Sequence, residues 1–175
     1  KVANVPVPTV GAGELLIHVR HSLVSAGTER TVVEFAESSL VGKARRRPDL
    51  VAQVMDKVKR DGIVPAWEAV TSRLRQPLAL GYAVAGTVVE VGEGVEHFAP
   101  GDAVAAAGAG HAVHAEMVTV PKNLVVKLPA NVDSASGCFT TLGAIALQGV
   151  RVSGAKLGEC VAVIGLGLLG QITVQ

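Results

Sequence analysis

The chain has 175 residues, 49% of them hydrophobic and 18% charged, with sixteen Lys and Arg against fifteen Asp and Glu for a formal charge of +1. This composition suits one folded domain of ordinary size with a remainder, and it excludes a disordered chain. The near-neutral balance gives no general reason to expect nucleic acid or an anionic membrane as partner, and no apolar run approaches the roughly 18 residues of a membrane span.

The two cysteines, Cys138 and Cys160, form no C-x-x-C pair, which argues against a disulfide framework or a cysteine zinc site. A cytoplasmic protein is the expectation. Aromatic residues make up only 3%, so stacking platforms for bases or sugars are not evident.

Pro6, Pro8, Gly11 and Gly13 mark an extended lead-in with a turn. From Glu14 the pattern alternates. Leu15, Ile17, Val19, His21 and Leu23 fall on one face, and Glu14, His18, Arg20 and Ser22 are among those opposite, so a half-buried strand is expected. His18 and His21 would then lie on opposite faces and could not share a metal. The strand runs into Ser25-Ala26-Gly27-Thr28-Glu29-Arg30, which reads as a polar turn.

Beyond residue 31 the spacing becomes helical. A basic cluster, Lys43-Ala44-Arg45-Arg46-Arg47, precedes Leu50, Val51, Val54, Met55 and Val58, with Gln53, Asp56, Lys57 and Lys59 on the other side. Gly62 and Pro65 break this run, and Trp67, Val70 and Leu74 form a second stripe ended before Pro77. Two helices are expected over about 34–76. The basic cluster could meet an anionic phosphate or an acidic partner, but so short a block reads more simply as a solvated helix face.

After Pro77 the period returns to two. Tyr82 to Val91 reads as a strand, with Gly86 inside it hinting at a bulge or a close backbone contact. Ala103 to Ala106, His114 to Pro121 and Leu124 to Leu128 are further short strands separated by glycine and proline turns. Many short strands with such turns imply a small barrel-like β domain. Asp133 to Val150 is helical in pattern, and 152–159 links it to a glycine-rich stretch.

That stretch is Val161-Ala162-Val163-Ile164-Gly165-Leu166-Gly167-Leu168-Leu169-Gly170, an apolar run leading into G-x-G-x-x-G. The order strand, tight turn, helix is what a dinucleotide fingerprint requires. Gly165 would allow the turn, Gly167 would let the backbone approach a pyrophosphate, and Gly170 would let the helix press on its strand. The phosphates would face the unpaired N–H groups at the helix start, beside Leu166, Leu168 and Leu169. An ordinary glycine-rich turn is the competing reading. Only five residues follow Gly170, so most of one domain plus the opening of a second is expected.

The order of these motifs resembles the medium-chain dehydrogenase/reductases, which join a GroES-like β-barrel catalytic domain to a Rossmann domain. Ala26-Gly27-Thr28-Glu29 resembles the family's C-G-T-D turn, and Gly81-Tyr82-Ala83-Val84-Ala85-Gly86-Thr87-Val88 its G-H-E-x-x-G-x-V strand. Phe98-Ala99-Pro100-Gly101-Asp102-Ala103-Val104 resembles F-x-x-G-D-x-V, and Gly165 to Gly170 the nucleotide loop. The resemblance implies a GroES-like domain over residues 1–152 with a helical insertion, then the first strand and helix of a Rossmann domain over 153–175. The segment 31–76 also resembles a subgroup whose dehydrogenase half is often fused to a second, sugar-oxidoreductase-like half.

In the zinc members of that family the C-G-T-D cysteine and the G-H-E histidine bind catalytic zinc. Here Ala26 and Tyr82 stand at those positions, and the four-cysteine zinc lobe has no counterpart between Gly108 and His114. A methyl group and a phenol do not build a tetrahedral N/S site, so a zinc-free member is expected. The implied activity is hydride transfer between NAD or NADP and a small-molecule carbonyl, alcohol or activated alkene. Thr28 occupies the family's proton-relay hydroxyl position, Tyr82 would offer a phenolic donor to a developing oxyanion or else merely fill the vacant pocket, and Thr141 or Thr140 would contact the nicotinamide. His111 and His114 are rival acids, although loop histidines are usually just solvated. No nucleic acid or membrane is expected as partner, and a homodimer is one assembly the chain could form. Two alternatives stay open: a non-catalytic binding or assembly module, and a zinc enzyme with reassigned ligands such as Cys138, His111 and Glu29.

Overall fold

The computed structural model describes residues 2–37, 48–62, 65 and 79–175. The chain divides into two compact units, Lys1–Ser25 with Ala79–Gln175, and Ala26–Leu78.

The first unit is built on β1 (Glu14–Ser22), β2 (Ala83–Val91), β3 (Ala103–Ala107), β4 (Met117–Pro121) and β5 (Val125–Lys127). They form one antiparallel half-barrel sheet in the order β4-β1-β2-β3-β5. A 3-10 turn, Lys122–Leu124, lets the chain leave β4 and re-enter the sheet at the far edge as β5. Alternation places Leu15, Ile17, Val84, Val88, Val104, Val118 and Val120 in one buried cluster. Each such side chain contributes roughly 1.5–3 kcal/mol on removal from water.

The opposite face is also covered. Helices Ser134–Gly137, Thr140–Ser153 and Leu168–Thr173 follow the sheet (α3, α4 and α5 below, α1 and α2 being in the second unit). The sheet residues Leu16, Ala83, Ala85 and Ala105 are buried, as are Cys138, Leu142 and Ala146 from the helical segment. Alanines on the strands leave room for backbone to approach. A β-carbon on Gly137 would meet Leu128 Cδ1 at 2.5 Å and Ala85 Cβ at 3.4 Å.

The pairing of β1 with β2 is irregular. The register between β1 and β2 shifts between Leu16 and Ile17 and again between Val19 and His21, so His21 pairs with Ala85. The bulge therefore moves His21 off the face of Ile17 and Val19, and its Nδ1 lies 2.8 Å from Ser134 Oγ on α3. Gly86 fulfils its reading as a close contact, since a β-carbon there would run into the carbonyl of His18.

The second unit holds α1 (Ala26–Glu37) and α2 (Pro48–Asp61). The expected polar turn at Ser25–Arg30 is instead the opening of α1. Glu29 in the first turn complements the helix dipole, and Arg30 pairs with Glu34 one turn on at 2.8 Å. Both signals stand in the sequence and outweigh the single turn-former Gly27. In α2, Val54 and Val58 are half-buried, Val51 and Met55 exposed, and Lys59 and Arg60 lie in the last turn. Gly62, at φ +88°, ends it as expected. The basic cluster at 43–47 and the stripe from Trp67 to Leu74 lie outside the described residues.

Candidate functional site

The glycine-rich stretch ends in a turn and a helix. Gly165 has φ +96°, in the region that favours glycine, and Gly167 is the extended N-cap residue of α5. Gln171 N–H donates to Gly167 O at 2.9 Å, and Gln171 Nε2 donates to Leu166 O at 3.1 Å, tying the turn to the helix. The three glycines are not equivalent. A β-carbon on Gly170 would collide with the carbonyl of Gly165, whereas one on Gly167 would meet nothing within 4 Å. Leu166, Leu168 and Leu169 are exposed. The preceding Val161–Ile164 has no ladder partner among the described residues. Strands of a parallel sheet pair only across crossovers of a dozen or more residues, and no such strand occurs among the described residues.

Tyr82 stands immediately before β2, half-buried. Its carbonyl accepts from Gly108 N–H at 2.9 Å, and the carbonyl of Leu80 accepts from His114 N–H at 2.8 Å. The Gly108–His114 loop is thus brought against the Leu80–Tyr82 segment. Of the two rival histidines, His111 is exposed on that loop, while His114 is half-buried. The reading of both as solvated therefore holds for His111 only.

Thr28 lies in the first turn of α1 in the second unit and is exposed. Thr140 and Thr141 open α4. Thr140 Oγ1 donates to the carbonyl of Gly137 at 2.7 Å, and Thr141 is half-buried. Both line an open cavity of about 490 Å³ between α4 and the end of the sheet, walled by Ala105, Ala107, Ile145 and Gln148 among others. Its walls are chiefly apolar and carry no charge.

Cys138 is buried between α3 and α4, its Sγ donating to Ala135 O at 3.0 Å. Burial pushes its thiol pKa up, which opposes the thiolate that zinc coordination or nucleophilic attack needs. Among the described residues no three His, Cys, Asp or Glu side chains gather where they could hold a metal ion.

The architecture is that of a GroES-like β domain leading into a glycine turn at a helix start. Residues 53–130 match the alcohol dehydrogenase GroES-like domain family. Over 123 residues the chain is 32% identical to (R,R)-butanediol dehydrogenase of Bacillus subtilis, covering 57% of this chain and 35% of that protein. A mycobacterial protein, Rv1454c, solved with NADPH, superposes with a TM-score of 0.67 at 25% identity, over 98% of this chain and 43% of that one. Galactitol-1-phosphate dehydrogenase of Escherichia coli shares the fold at a TM-score of 0.69 and 18% identity, over 99% of this chain and 48% of that one. The chain is thus similar, in sequence and in fold, to dehydrogenases built on a GroES-like domain. It spans about a third of the length of that curated relative, the Bacillus subtilis dehydrogenase.

Proposed function

We propose that this chain supplies the GroES-like part and the opening of the nucleotide site of an NAD(P)-dependent oxidoreductase. The observation that carries the reading is the division of labour among the three glycines. Gly165 and Gly170 answer demands of the backbone itself, while no neighbour within 4 Å requires Gly167 to lack a side chain. An open approach at a helix N-cap fits a pyrophosphate, which needs bare backbone and unpaired N–H groups. The NADPH bound by the mycobacterial relative supports the same cofactor class.

When bound, the nicotinamide supplies or accepts the hydride. The chain's own part is to orient the substrate and to hold charge on its oxygen. Tyr82, at the position of a zinc-binding histidine in the resemblance, donates a hydrogen bond to the developing oxyanion in place of a Lewis acid. Thr28 keeps the proton-relay role that the resemblance implies for it, and Thr141 bears on the nicotinamide side. The reading is of a zinc-independent enzyme acting on a neutral carbonyl, alcohol or activated alkene.

Calorimetry with NADH and NADPH on the protein and on Gly167→Val tests this. Binding by the parent and its loss in a folded variant support the reading. A parent that binds neither dinucleotide favours a non-catalytic module. Equal binding by both proteins makes the loop a structural turn only.

A further inference from the structure

The Gly108–His114 loop grips the chain on either side of Gly81, the residue before Tyr82. His114 N–H donates to Leu80 O at 2.8 Å, and Gly108 N–H donates to Tyr82 O at 2.9 Å. Between these two bonds lies Gly81 at φ +98°, where a β-carbon would sit 2.8 Å from His114 N, 2.9 Å from His114 Nδ1 and 3.0 Å from Cε1. The imidazole therefore rests on the bare α-carbon of Gly81, and Nδ1 is shut away from water. A side chain at 81 would displace main-chain as well as ring atoms, which marks a fitted contact. The carbonyls at 80 and 82 are fixed from one loop, so the direction in which the Tyr82 side chain leaves the backbone is fixed with them.

We propose that His114 is the positioning residue of Tyr82, its ring and main-chain N–H clamping Gly81 so that the phenol is held in one orientation. The proposal rests on the reading of Tyr82 as the hydrogen-bond donor. It adds that the donor is preorganised by protein packing where a metal ion would otherwise fix its ligands. The contact belongs to one unit of the fold and needs nothing from the other.

Tyr82 is the single tyrosine of the 175 residues, so 3-fluorotyrosine placed in the protein gives a 19F resonance assigned by its loss in Tyr82→Phe. The expected wild-type signal is displaced from its position in urea. In His114→Ala it moves at least halfway towards that position, and His114→Gln, which keeps a planar polar group over Gly81, retains most of the displacement. His114→Leu is read if the alanine variant fails to fold. An unchanged resonance in any folded variant other than His114→Gln overturns the proposal. The wild-type protein gives a second measurement, since the N–H groups of His114 and Gly108 should exchange with solvent as slowly as that of Val88. Exchange at the rate of an open loop overturns the clamp. With a carbonyl substrate that the protein reduces, His114→Ala should lower kcat about tenfold with KM within about twofold, and His114→Gln should restore it. Turnover unchanged in Tyr82→Phe would defeat the donor reading alone, and the resonance would still decide the clamp.

Discussion

The α-carbon of Gly170 lies against the carbonyl oxygen of Gly165, so close that a β-carbon on Gly170 would collide with it. Gly165 reaches that position by taking φ +96°. The contact folds the turn back on the first turn of α5 and leaves Gly167 at the open end. Two glycines are thus set by the chain's own geometry, and the third is not.

Substitution should separate them. Gly165→Ala forces an L side chain into the left-handed region at about 1–2 kcal/mol, and Gly170→Ala adds a backbone clash on a similar scale or larger. Either should speed hydrogen exchange at the Gln171 and Val174 amides by roughly tenfold or more, because both bond back into this turn. Gly167→Ala should leave those rates within about twofold. Faster exchange in Gly167→Ala would show that its missing side chain serves the fold.

Asp102 closes the turn before β3. Its Oδ2 accepts from Lys127 Nζ at 2.7 Å and from Ala99 N–H at 2.8 Å, and Lys127 also lies over the Phe98 ring at 5.9 Å. These bonds, that from Lys127 first, hold the Asp102 carboxyl below its ordinary pKa of 3.8. A depressed folded value means that the contribution is fully present above the unfolded value and is lost as pH falls through the folded one. Asp102→Asn should therefore lower the unfolding midpoint near neutral pH, with the gap closing below about pH 4. Urea unfolding of both proteins across pH 2–7 measures this, and a constant gap would assign the loss to shape and not charge.

The two cysteines should react very differently with a thiol reagent. Cys138 is 5% exposed and its thiol is pushed up by burial, whereas Cys160 is exposed. Native protein at pH 8 should label rapidly at Cys160, with Cys138 at least about a hundredfold slower until the protein is unfolded. Equal rates would mean that the packing of α3 and α4 on the sheet opens readily.

Ala26 and Tyr82 stand where the resemblance expects metal ligands, and Cys138 is held as a buried thiol. Elemental analysis of the purified protein should therefore find well under one zinc per chain. One tightly held zinc would overturn the zinc-independent reading and bring back a reassigned ligand set.

Period and punctuation in the sequence determined much of this protein. The alternation from Leu15 to Val19, the strand after Tyr82, the glycine turn and the stop of α2 at Gly62 are local matters, since each depends on neighbours within a few residues. The motif order likewise carried the likeness to GroES-like dehydrogenases. Position in space was different. The bulge between Val19 and His21 rests on pairing with a strand more than sixty residues away, and it carried His21 to Ser134. The helix opening at Ala26 was written in Glu29 and the Arg30–Glu34 pair but masked by a glycine. The clasp of His114 on Gly81 joins residues 33 positions apart, and only tertiary contact could turn a loop histidine into a half-buried one. The tertiary structure also decided which glycine of the turn is spared by the backbone, because that depends on which atoms come within a β-carbon's reach and not on spacing.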